Sequence, residues 1–515
     1  MAIGATLSRI RPNDIYNREL LSNVRPSDWT NPEPASRYDL VVIGGGSAGL
    51  VTAAGAAGLG AKVALVEREL LGGDCLNVGC VPSKALIRSA RAVAGIRRAA
   101  DYGVVVPEGA NADFAAVMER MRKLRAQLSA RDSAARYRSL GVDVFIGQAR
   151  FSGPSSVEVK GKTLRFLRAV IATGSRAAVA PIPGLAEIGY LTNETIFALT
   201  ALPRRWAVIG AGPVGCELAQ AFQRFGSNVT LLEAATHILP NEDGEAAQIV
   251  RTALQRDGIQ IVEGCDIRMV EHSGDRKLLR VGCGTENRDV LVDEIVVCAG
   301  RFPVLDGLGL EAAGVDYDAR IGVKVDDRLR TNNRRIFAAG DVCSPHKFTH
   351  VSDAMARIVV RNALFAGRQR FSSLAIPRCT YTDPEIAQVG LNEAEARQRG
   401  IAIRTFLQPL IKVDRAVLDG QCEGFVKVHA HRRTGQIVGA TVVASGAGEM
   451  ISEFTLAMVG KLGLATIART VHPYPTQAEA IRKVADAWYR SRLTPSVKRM
   501  LSGILQMRRV ASAYR

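Results

Sequence analysis

Two stretches of the chain share the same order of apolar runs, glycine-rich turns and helical segments. Residues 38–69 read YDLVVIGGGSAGLVTAAGAAGLGAKVALVERE, and residues 204–235 read RRWAVIGAGPVGCELAQAFQRFGSNVTLLEAA. In each stretch an apolar run precedes a turn, a helical segment follows, and a second run rich in β-branched residues ends at a glutamate. This internal repeat predicts two βαβ units and an α/β fold.

Both stretches carry the spacing Gly-x-Gly-x-x-Gly. The glycines are Gly44, Gly46 and Gly49 in the first stretch and Gly210, Gly212 and Gly215 in the second. The first glycine makes a tight turn, the second lets the backbone approach a pyrophosphate, and the third lets helix and strand pack closely. Glu67 and Glu233 each lie 23 positions after the first glycine, where a carboxylate can accept from ribose hydroxyls. The sequence therefore predicts that the protein binds two dinucleotides.

Glu233 also bears on the choice of nicotinamide cofactor. A carboxylate facing the 2′-phosphate of NADPH would oppose it by up to about 4 kcal/mol at a separation of about 4 Å and an effective dielectric of about 20. The sequence continues AATHILP after Glu233, so no arginine follows directly to offset this repulsion. The second motif therefore favours NADH over NADPH.

The composition is that of a soluble globular protein, with 47% hydrophobic and 23% charged residues among 515. This length predicts about three domains. The first 36 residues hold charges and prolines in place of a secretory apolar region, and no long uncharged apolar run follows. A cytoplasmic protein is therefore expected.

The net charge of +17 raises the question of a nucleic-acid partner. The basic residues are mostly arginines dispersed along the chain, without zinc-finger spacing, an RNA-binding aromatic signature or a basic zipper. We therefore expect no nucleic-acid partner. The charge suits anionic dinucleotides and solubility.

The segment GGDCLNVGCVPSK places Cys75 and Cys80 five positions apart. They could form half of a metal site, a structural disulfide or a redox-active pair. A structural zinc site needs four ligands, and no second Cys or Cys/His pair has suitable spacing. A disulfide closing so short a loop would stabilise the fold by only about 2 kcal/mol. Nine thinly scattered cysteines do not indicate a disulfide framework.

The two dinucleotide motifs together with this cysteine pair resemble the flavoprotein disulfide reductases, the family of glutathione reductase, dihydrolipoyl dehydrogenase and mercuric reductase. Further motifs carry the resemblance over residues 38–490: IATGS at 171–175, CAGRFP at 298–303, IFAAGDV at 336–342 and YTDPEIAQVG at 381–390. The resemblance implies two Rossmann-like dinucleotide-binding domains plus an α+β C-terminal dimerisation domain. It also implies FAD and NAD(P)H as cofactors, a homodimer, and a redox role for the cysteines.

The resemblance also implies domain boundaries. They are an N-terminal extension at 1–37, an FAD-binding domain at 38–180, an NAD(P)-binding domain at 181–300, a return to the FAD domain at 301–367, a dimerisation domain at 368–490 and a basic amphipathic tail at 491–515. The end of the dimerisation domain is expected to reach into the partner's active site.

Roles for individual residues follow from the same resemblance. Cys80 is expected next to the flavin, and Cys75 is expected to exchange with the substrate. Lys84 resembles the lysine near the flavin's hydride-accepting nitrogen, Glu217 resembles its ion-pair partner, and Asp341 resembles the acceptor from the ribityl chain. The expected contacts with FAD or the nicotinamide cofactor are Gly44, Gly46, Ser47, Ala48, Gly49, Glu67, Gly73, Lys84, Thr173, Gly174, Ser175, Gly340, Asp341, Gly210, Gly212, Gly215, Glu233, Gly300 and Arg301.

Two positions depart from the family pattern. Asp74 stands where threonine is usual, and its charge would disfavour a neighbouring thiolate. In HPYPTQAEA, at 472–480, aligning Glu479 with the family's glutamate places Tyr474 where dithiol-handling members carry a catalytic histidine. A phenol is a poor base at neutral pH but a serviceable donor or metal-facing ligand. Mercuric reductase also has a tyrosine here, whereas a second interpretation leaves Tyr474 packed and His472 as the base.

The expected enzyme is thus an FAD-dependent NAD(P)H oxidoreductase that passes electrons through Cys75 and Cys80 to a metal or small electrophilic acceptor, with Tyr474 and Glu479 near the site. No cysteine follows Cys422, where mercuric reductase carries a second pair, so efficient mercury reduction is not expected. Dihydrolipoyl dehydrogenase is the alternative enzyme, and a redox-sensing or membrane-docked flavoprotein is the alternative of another class.

The C-terminal tail carries a separate signal. Residues 490–515 contain seven Lys or Arg and no acid, and five apolar residues follow helical spacing. Those residues are Val497, Met500, Leu501, Ile504 and Leu505. A basic amphipathic helix of this kind can lie on an anionic membrane surface or pack within the protein's own dimer.

Overall fold

The computed structural model describes residues 10–178, 180–284 and 286–513. These residues form two compact units, one made of the chain through Leu239 and Leu254–Leu374, the other of Pro240–Ala253 and the chain from Ala375. The first nine residues of the predicted N-terminal extension and the last two of the tail lie outside the described residues. In the described part of the chain, no helix is long and apolar enough to cross a membrane.

The first unit contains the two predicted βαβ repeats as separate sheets. The larger sheet has the strand order Val142–Ile146, Val63–Glu67, Tyr38–Ile43, Lys162–Ile171, Ser156–Val159, Ala149–Gly153, with Ile336–Ala338 also pairing with Lys162–Ile171. Its first four strands and Ile336–Ala338 are parallel, as expected for strands joined by crossover helices. Apolar side chains from this sheet, such as Phe166 and Ile171, are fully buried in its core.

The second repeat forms a four-stranded parallel sheet in the order Gln260–Val262, Asn228–Leu232, Arg205–Ile209, Glu294–Val297. An antiparallel sheet of Cys265–Ser273, Arg276–Cys283 and Glu286–Val292 packs into the same core. Two short pairs complete the strands of this unit: Ser175–Ala177 with Arg301–Pro303, and Tyr317–Asp318 with Gly322–Val323.

The second unit is built on an antiparallel sheet in the order Pro377–Thr380, Glu385–Gly390, Ile437–Ala444, Phe425–His431, Ile403–Pro409. Two helices cover it with buried apolar residues, among them Phe454 from Ala447–Val459 and Trp488 from Glu479–Arg492. An antiparallel sheet with packed helices is the predicted α+β architecture.

The α-helices are Ile15–Val24, Ser47–Gly58, Gly73–Asn77, Cys80–Arg97, Phe114–Ser129, Ala134–Ser139, Leu185–Ile188, Pro213–Phe225, Gly244–Arg256, Thr349–Leu364, Glu393–Gln398, Asp414–Leu418, Ala447–Val459, Leu464–Arg469, Glu479–Arg492 and Pro495–Ala513. Short 3₁₀ helices span Ala99–Tyr102, Ala130–Asp132, Ile196–Ala198, Phe371–Ser373 and Leu410–Lys412.

The fold class predicted from the repeat and the resemblance is confirmed. The predicted boundaries at 37, 180, 300, 367 and 490 stay predictions, and the chain passes between the two compact units after Leu239, after Ala253 and after Leu374. The tail residues 495–513 form the predicted helix, and Met500, Leu501 and Leu505 on it are exposed.

Candidate functional site

A cavity of about 620 Å³ in the first unit gathers most of the predicted site residues. This volume lies within the range of roughly 300–1,000 Å³ that is typical of ligand sites. Its lining includes Gly44, Gly46, Ser47, Ala48, Glu67, Gly73, Cys75, Cys80, Lys84, Thr173, Gly174, Ser175, Gly212, Glu217, Gly300, Arg301, Gly340 and Asp341. The first glycine motif, the cysteine pair and the start of the second motif's helix therefore face one space.

The first glycine motif has the geometry that the sequence predicts. Gly44 has φ +109°, and a side chain on Gly49 would overlap the Gly44 carbonyl oxygen, so both positions require glycine. Gly46 precedes the helix Ser47–Gly58, and a Cβ on it would meet only Gly73 Cα at 3.7 Å. The backbone at Gly46 is thus open to the cavity at a helix N-terminus, a place suited to a pyrophosphate.

Glu67, at the end of its strand, is held by backbone amides. The Gly45 N–H donates to Oε2 at 2.5 Å, and the Glu69 N–H donates to Oε1 at 2.6 Å. Burial raises the pKa of Glu67, and the two amide bonds act against that rise. The carboxylate is therefore fixed in orientation at the edge of the cavity.

The second motif repeats this arrangement atom for atom. Its residues Gly210, Gly215 and Glu233 do not line the cavity, and neither does Gly49 of the first motif. The Ala211 N–H donates to Glu233 Oε2 at 2.6 Å, and the Ala235 N–H donates to Oε1 at 2.9 Å. These donors lie 166 positions after Gly45 and Glu69, the same offset that separates the two motifs. A side chain on Gly215 would overlap the Gly210 carbonyl oxygen, and a Cβ on Gly212 would meet open space.

The cysteines lie at the ends of a tight connection between two helices. Cys75 belongs to the short helix Gly73–Asn77, and Cys80 is the first residue of the helix Cys80–Arg97. We call residues 73–80 the redox loop. Both cysteines are free thiols within hydrogen-bonding reach of each other, and Cys80 Sγ is 3.5 Å from the Thr349 hydroxyl.

The thiols of the redox loop differ in acidity. The hydrogen bond from Cys75 is the main cause that lowers the pKa of Cys80, and the Thr349 hydroxyl and the Lys84 charge add to it, while burial opposes it. The same hydrogen bond and then burial raise the pKa of Cys75. The position of Cys80 at a helix N-terminus also favours its thiolate. Of the two thiols, Cys80 is therefore the one that loses its proton more readily.

Lys84 and Glu217 form the ion pair that the resemblance implied. Lys84 Nζ lies 2.7 Å from Glu217 Oε2, and the glutamate side chain is only 6% exposed. Lys84 comes from the helix that Cys80 begins, and Glu217 comes from the helix Pro213–Phe225 of the second motif. The pair joins the two dinucleotide folds at the cavity.

Asp74 is neutralised by an arginine. The Arg301 guanidinium donates to the Asp74 carboxylate, to Ser175 Oγ at 2.7 Å and to the Ser175 carbonyl oxygen at 2.8 Å. Ser175 Oγ in turn donates to Asp341 at 2.6 Å. The sequence predicts that the Asp74 charge disfavours the thiolate beside it, but the ion pair with Arg301 offsets that charge.

Tyr474 and Glu479 belong to the second unit. The Tyr474 hydroxyl donates to Asp414 Oδ2 at 2.9 Å, and the tyrosine side chain is 71% exposed in the chain. That hydrogen bond, followed by the Asp414 charge, raises the pKa of Tyr474 above its ordinary value. Tyr474 is therefore largely exposed in the single chain, and both interpretations of its role stay predictions.

His472 and Glu479 have partners of their own. His472 Nε2 lies 3.1 Å from Glu453 Oε1, and its Nδ1 lies 3.1 Å from the Thr470 carbonyl oxygen. Glu479 is buried at the start of its helix, 3.3 Å from Arg482. The three predicted residues of this segment thus face different partners.

Thr349 and Lys347 were not identified from the sequence. Thr349 contacts Cys80 from 269 positions away, and Lys347 Nζ donates to the Asp341 carbonyl oxygen at 3.0 Å. Both line the cavity. The segment KFTH carried no spacing that distinguished it from an ordinary helix start.

Comparisons with known proteins identify the family of this chain. The family model "Pyridine nucleotide-disulphide oxidoreductase" matches residues 38–357, and that family's dimerisation domain matches residues 376–485. Mercuric reductase from Bacillus cereus is 33% identical over 93% of this chain and 75% of its own length. Dihydrolipoyl dehydrogenase from Thermus scotoductus is 36% identical over 88% of this chain and 98% of its own length.

A solved structure has the same fold. The HOCl-induced flavoprotein disulfide reductase RclA from Escherichia coli matches with a TM-score of 0.78 and 28% identity, covering 87% of this chain and 99% of that one. The chain belongs to the pyridine nucleotide-disulphide oxidoreductase family. The family depends on FAD and NAD(P)H, so the predicted cofactors are confirmed at that level, and the dimerisation domain supports a homodimer.

The residues present fit FAD. The cavity has a helix N-terminus whose glycine leaves space for a pyrophosphate, an oriented carboxylate for a ribose, and an ammonium and two thiols farther along. The main polar parts of a flavin dinucleotide thus have matching groups here.

Proposed function

We propose that this protein is an NADH-preferring flavoprotein reductase that passes electrons through Cys75 and Cys80 to a metal ion or a small electrophile. The observation that carries the proposal is the single cavity shared by the first glycine motif, the redox loop and the Lys84–Glu217 pair. A reductase of this kind needs these groups in one space, because electrons must move between cofactors and thiols over short distances.

The chain's own residues have distinct roles in this proposal. When bound, FAD would relay two electrons from the nicotinamide to the Cys75–Cys80 disulfide. Lys84, held by Glu217, places a positive charge beside the Cys80 thiolate. Cys75 is the thiol that meets the acceptor. When the pair returns to the disulfide, its two electrons go to the acceptor. The protons released from the thiols go to an electrophile that takes them up, or to solvent when the acceptor is a metal ion.

Tyr474 bears on the kind of acceptor. Its hydroxyl donates to Asp414, which raises its pKa, so the phenol stays protonated at neutral pH and is a poor base. A metal ion would bind the thiols by ligand exchange before electrons reach it, and neither step needs that base. This supports a metal or small electrophile over a dithiol substrate, if Tyr474 reaches the partner's site as the family resemblance implies.

The test is an acceptor screen on the purified, FAD-loaded protein. Cys75→Ser and Cys80→Ser should each abolish NADH-dependent reduction of the acceptor but leave direct reduction of a dye by the flavin. Cys422→Ser, in the second unit, is the matched control and should leave both activities unchanged. Acceptor reduction that persists in both variants would overturn the proposal.

The same screen separates this proposal from a sensor. A redox-sensing flavoprotein would be reduced once by NADH and then stop, whereas a reductase should consume NADH steadily with a dye. A single stoichiometric reduction, without turnover on any acceptor or dye, would support the sensor.

Dihydrolipoyl dehydrogenase is the second candidate, favoured by its 36% identical relative and by the His472–Glu453 pair, which could hold a base. In our proposal lipoamide is a poor substrate, and Tyr474→His raises its turnover by part of the roughly 10²–10⁴-fold that a positioned base contributes. Tyr474→Phe serves as the control, since it supplies no base. Wild-type lipoamide turnover as fast as dye turnover, falling in Tyr474→His, would favour the dehydrogenase.

A further inference from the structure

An N-terminal segment precedes the part of the chain that the family model matches, which begins at residue 38. In this segment the helix Ile15–Val24, here called the N-terminal helix, begins at Asp14, whose side chain caps the Asn17 N–H. Leu20 and Val24 are fully buried. The helix is therefore an integral part of the first unit.

The N-terminal helix packs on the helix Phe114–Ser129 through polar contacts as well as apolar ones. Asp14 forms an ion pair with Arg122, and Asn23 Nδ2 donates to Ser129 Oγ at 2.9 Å. Arg125, between these two contacts, is only 1% exposed. The contacts fix the N-terminal helix against the arginine.

Arg125 connects the N-terminal helix to the redox loop. Its Nη2 donates to Asn17 Oδ1 at 2.7 Å, and its Nη1 donates to the Asn77 carbonyl oxygen at 2.6 Å. Asn77 lies between Cys75 and Cys80. Its own side chain donates to the Gly73 carbonyl oxygen at 2.9 Å and to that of Leu71 at 3.0 Å. One guanidinium thus spans from the N-terminal helix to the middle of the redox loop.

The burial of Arg125 is costly, which makes its position informative. Burial and, to a smaller degree, the neighbouring Arg122 charge lower the pKa of Arg125 to about 10, and Asp14 acts against them. Its hydrogen-bond acceptors in the described part of the chain are two neutral oxygens, and its Nε has no partner there. A buried cation with neutral acceptors is a poor source of stability. The geometry of the guanidinium explains the buried arginine better, because its planar set of N–H donors can bind two segments of the chain at once.

A second set of contacts holds the residues that immediately precede the redox loop. Arg25, just after the N-terminal helix, donates through Nη1 to the Arg68 and Glu69 carbonyl oxygens at 2.7 and 2.5 Å. The Leu71 N–H donates to the Val24 carbonyl oxygen at 3.2 Å. The N-terminal segment therefore touches the chain both before the redox loop and, through Arg125, within it.

We propose that the N-terminal helix positions the redox loop, with Arg125 and Asn17 as the positioning residues. The inference rests on the proposed function only in taking Cys75 and Cys80 as the reacting thiols. Its physical content is that the Asn17–Arg125–Asn77 connection restricts the motion of residues 73–80 and keeps Cys80 at the start of its helix, where the thiolate is favoured.

The test compares two identical truncations on one helix in the full-length, FAD-loaded protein. Asn17→Ala removes the acceptor for Arg125, whereas Asn23→Ala removes a contact of the same helix that does not lead to the redox loop. Hydrogen–deuterium exchange of the peptide containing residues 71–80 should be faster by roughly tenfold in Asn17→Ala, the effect expected when a buried bond to a charged group is lost. In Asn23→Ala the exchange of that peptide should match wild type.

Two further measurements keep the result specific. The pH profile of Cys80 alkylation in the reduced protein should shift to higher pH in Asn17→Ala and stay in place in Asn23→Ala. Asn17→Asp keeps an acceptor oxygen for Arg125 but loses the donor to the Pro12 carbonyl oxygen, so it should restore wild-type exchange.

Equal exchange of residues 71–80 in Asn17→Ala and Asn23→Ala would overturn the proposal, as would an Asn17→Asp variant that behaves like Asn17→Ala. Neither readout depends on turnover. A failure here is therefore distinguishable from a failure of the proposed function, which the cysteine variants test separately.

Discussion

Charged groups of opposite sign act on the Cys80 thiolate. Lys84 lowers the pKa of Cys80 and Glu217 raises it. We therefore expect Lys84→Met to shift the pH at which Cys80 is half alkylated upward, and Glu217→Gln to shift it downward. Alkylation of Cys80 in the reduced protein, quantified by mass spectrometry across pH, measures both shifts.

Arg88→Met is the matched control for this prediction. Arg88 is exposed on the same helix as Lys84, so its removal changes the net charge equally without touching the thiols. Shifts of the same sign in Lys84→Met and Glu217→Gln would contradict the assignment of charges around Cys80.

Glu233 determines the expected preference between the nicotinamide cofactors. Two backbone amides orient its carboxylate at the end of the strand Asn228–Leu232, where it would contact the ribose of a bound nicotinamide cofactor. Glu233→Arg should move the ratio of kcat/KM for NADH over NADPH toward NADPH, because a 2′-phosphate would then meet a cation. The ratio from initial rates with the two cofactors checks this.

Glu294→Gln serves as the control for Glu233→Arg. Glu294 is the first residue of a parallel strand of the same sheet, so it lies at the opposite ends of the strands from Glu233, which follows its strand. Its carboxylate forms an ion pair with Lys277. An unchanged ratio in Glu233→Arg, or an equal change in Glu294→Gln, would place cofactor selection elsewhere.

The sequence identifies some residues of the site and not others, and the reason is physical. Glu67 and Glu233 were identifiable because each is tied to a glycine motif at a fixed distance along the chain. Thr349 and Arg125 were not, because their contacts join positions 269 and 48 residues apart and depend on how helices pack. No local pattern carries that information.

Among the secondary-structure elements, the βαβ repeats were the most predictable. The parallel pairing of Tyr38–Ile43 with Val63–Glu67 and of Arg205–Ile209 with Asn228–Leu232 follows directly from the repeated apolar runs. The N-terminal helix was not predicted, because its burial depends on contacts with Phe114–Ser129 that the segment's own composition does not indicate.

The tail helix Pro495–Ala513 carries a prediction of its own. Met500, Leu501 and Leu505 are exposed beside basic residues of the same helix, so contact with an anionic membrane stays a prediction. We expect wild-type protein to co-sediment with phosphatidylserine vesicles and a variant lacking residues 495–515 to lose most of that binding. Neutral vesicles are the control, and equal binding by the two forms would contradict the prediction.

At the scale of the whole molecule, the family's dimerisation domain predicts that each site is shared between two chains. Co-expression of a Cys80→Ser chain with a Tyr474→Phe chain tests this. If Tyr474 serves the partner's cysteines, the mixed dimer has one intact site of two and should recover about half of wild-type acceptor reduction per dimer.

The corresponding single-variant dimers are the reference for this experiment. Dimers made only of Cys80→Ser chains should be inactive on the acceptor, and dimers made only of Tyr474→Phe chains should be slow because they lack the phenol as a hydrogen-bond donor or metal-facing ligand. If the mixed dimer is no more active than these, Tyr474 acts on its own chain or not at all.

Because the redox loop is short, opening and closing its disulfide has little effect on the stability of the folded domain. Closing a ring between Cys75 and Cys80 changes the free energy of the unfolded chain, through its conformational entropy, by only about 2 kcal/mol. The Val78 N–H bond to Asp74 and the Ser83 N–H bond to Gly79 hold the backbone on both sides when the thiols are free. The bond can therefore open and close on every turnover while the domain stays folded, so repeated cycling should not expose the chain to proteolysis or aggregation.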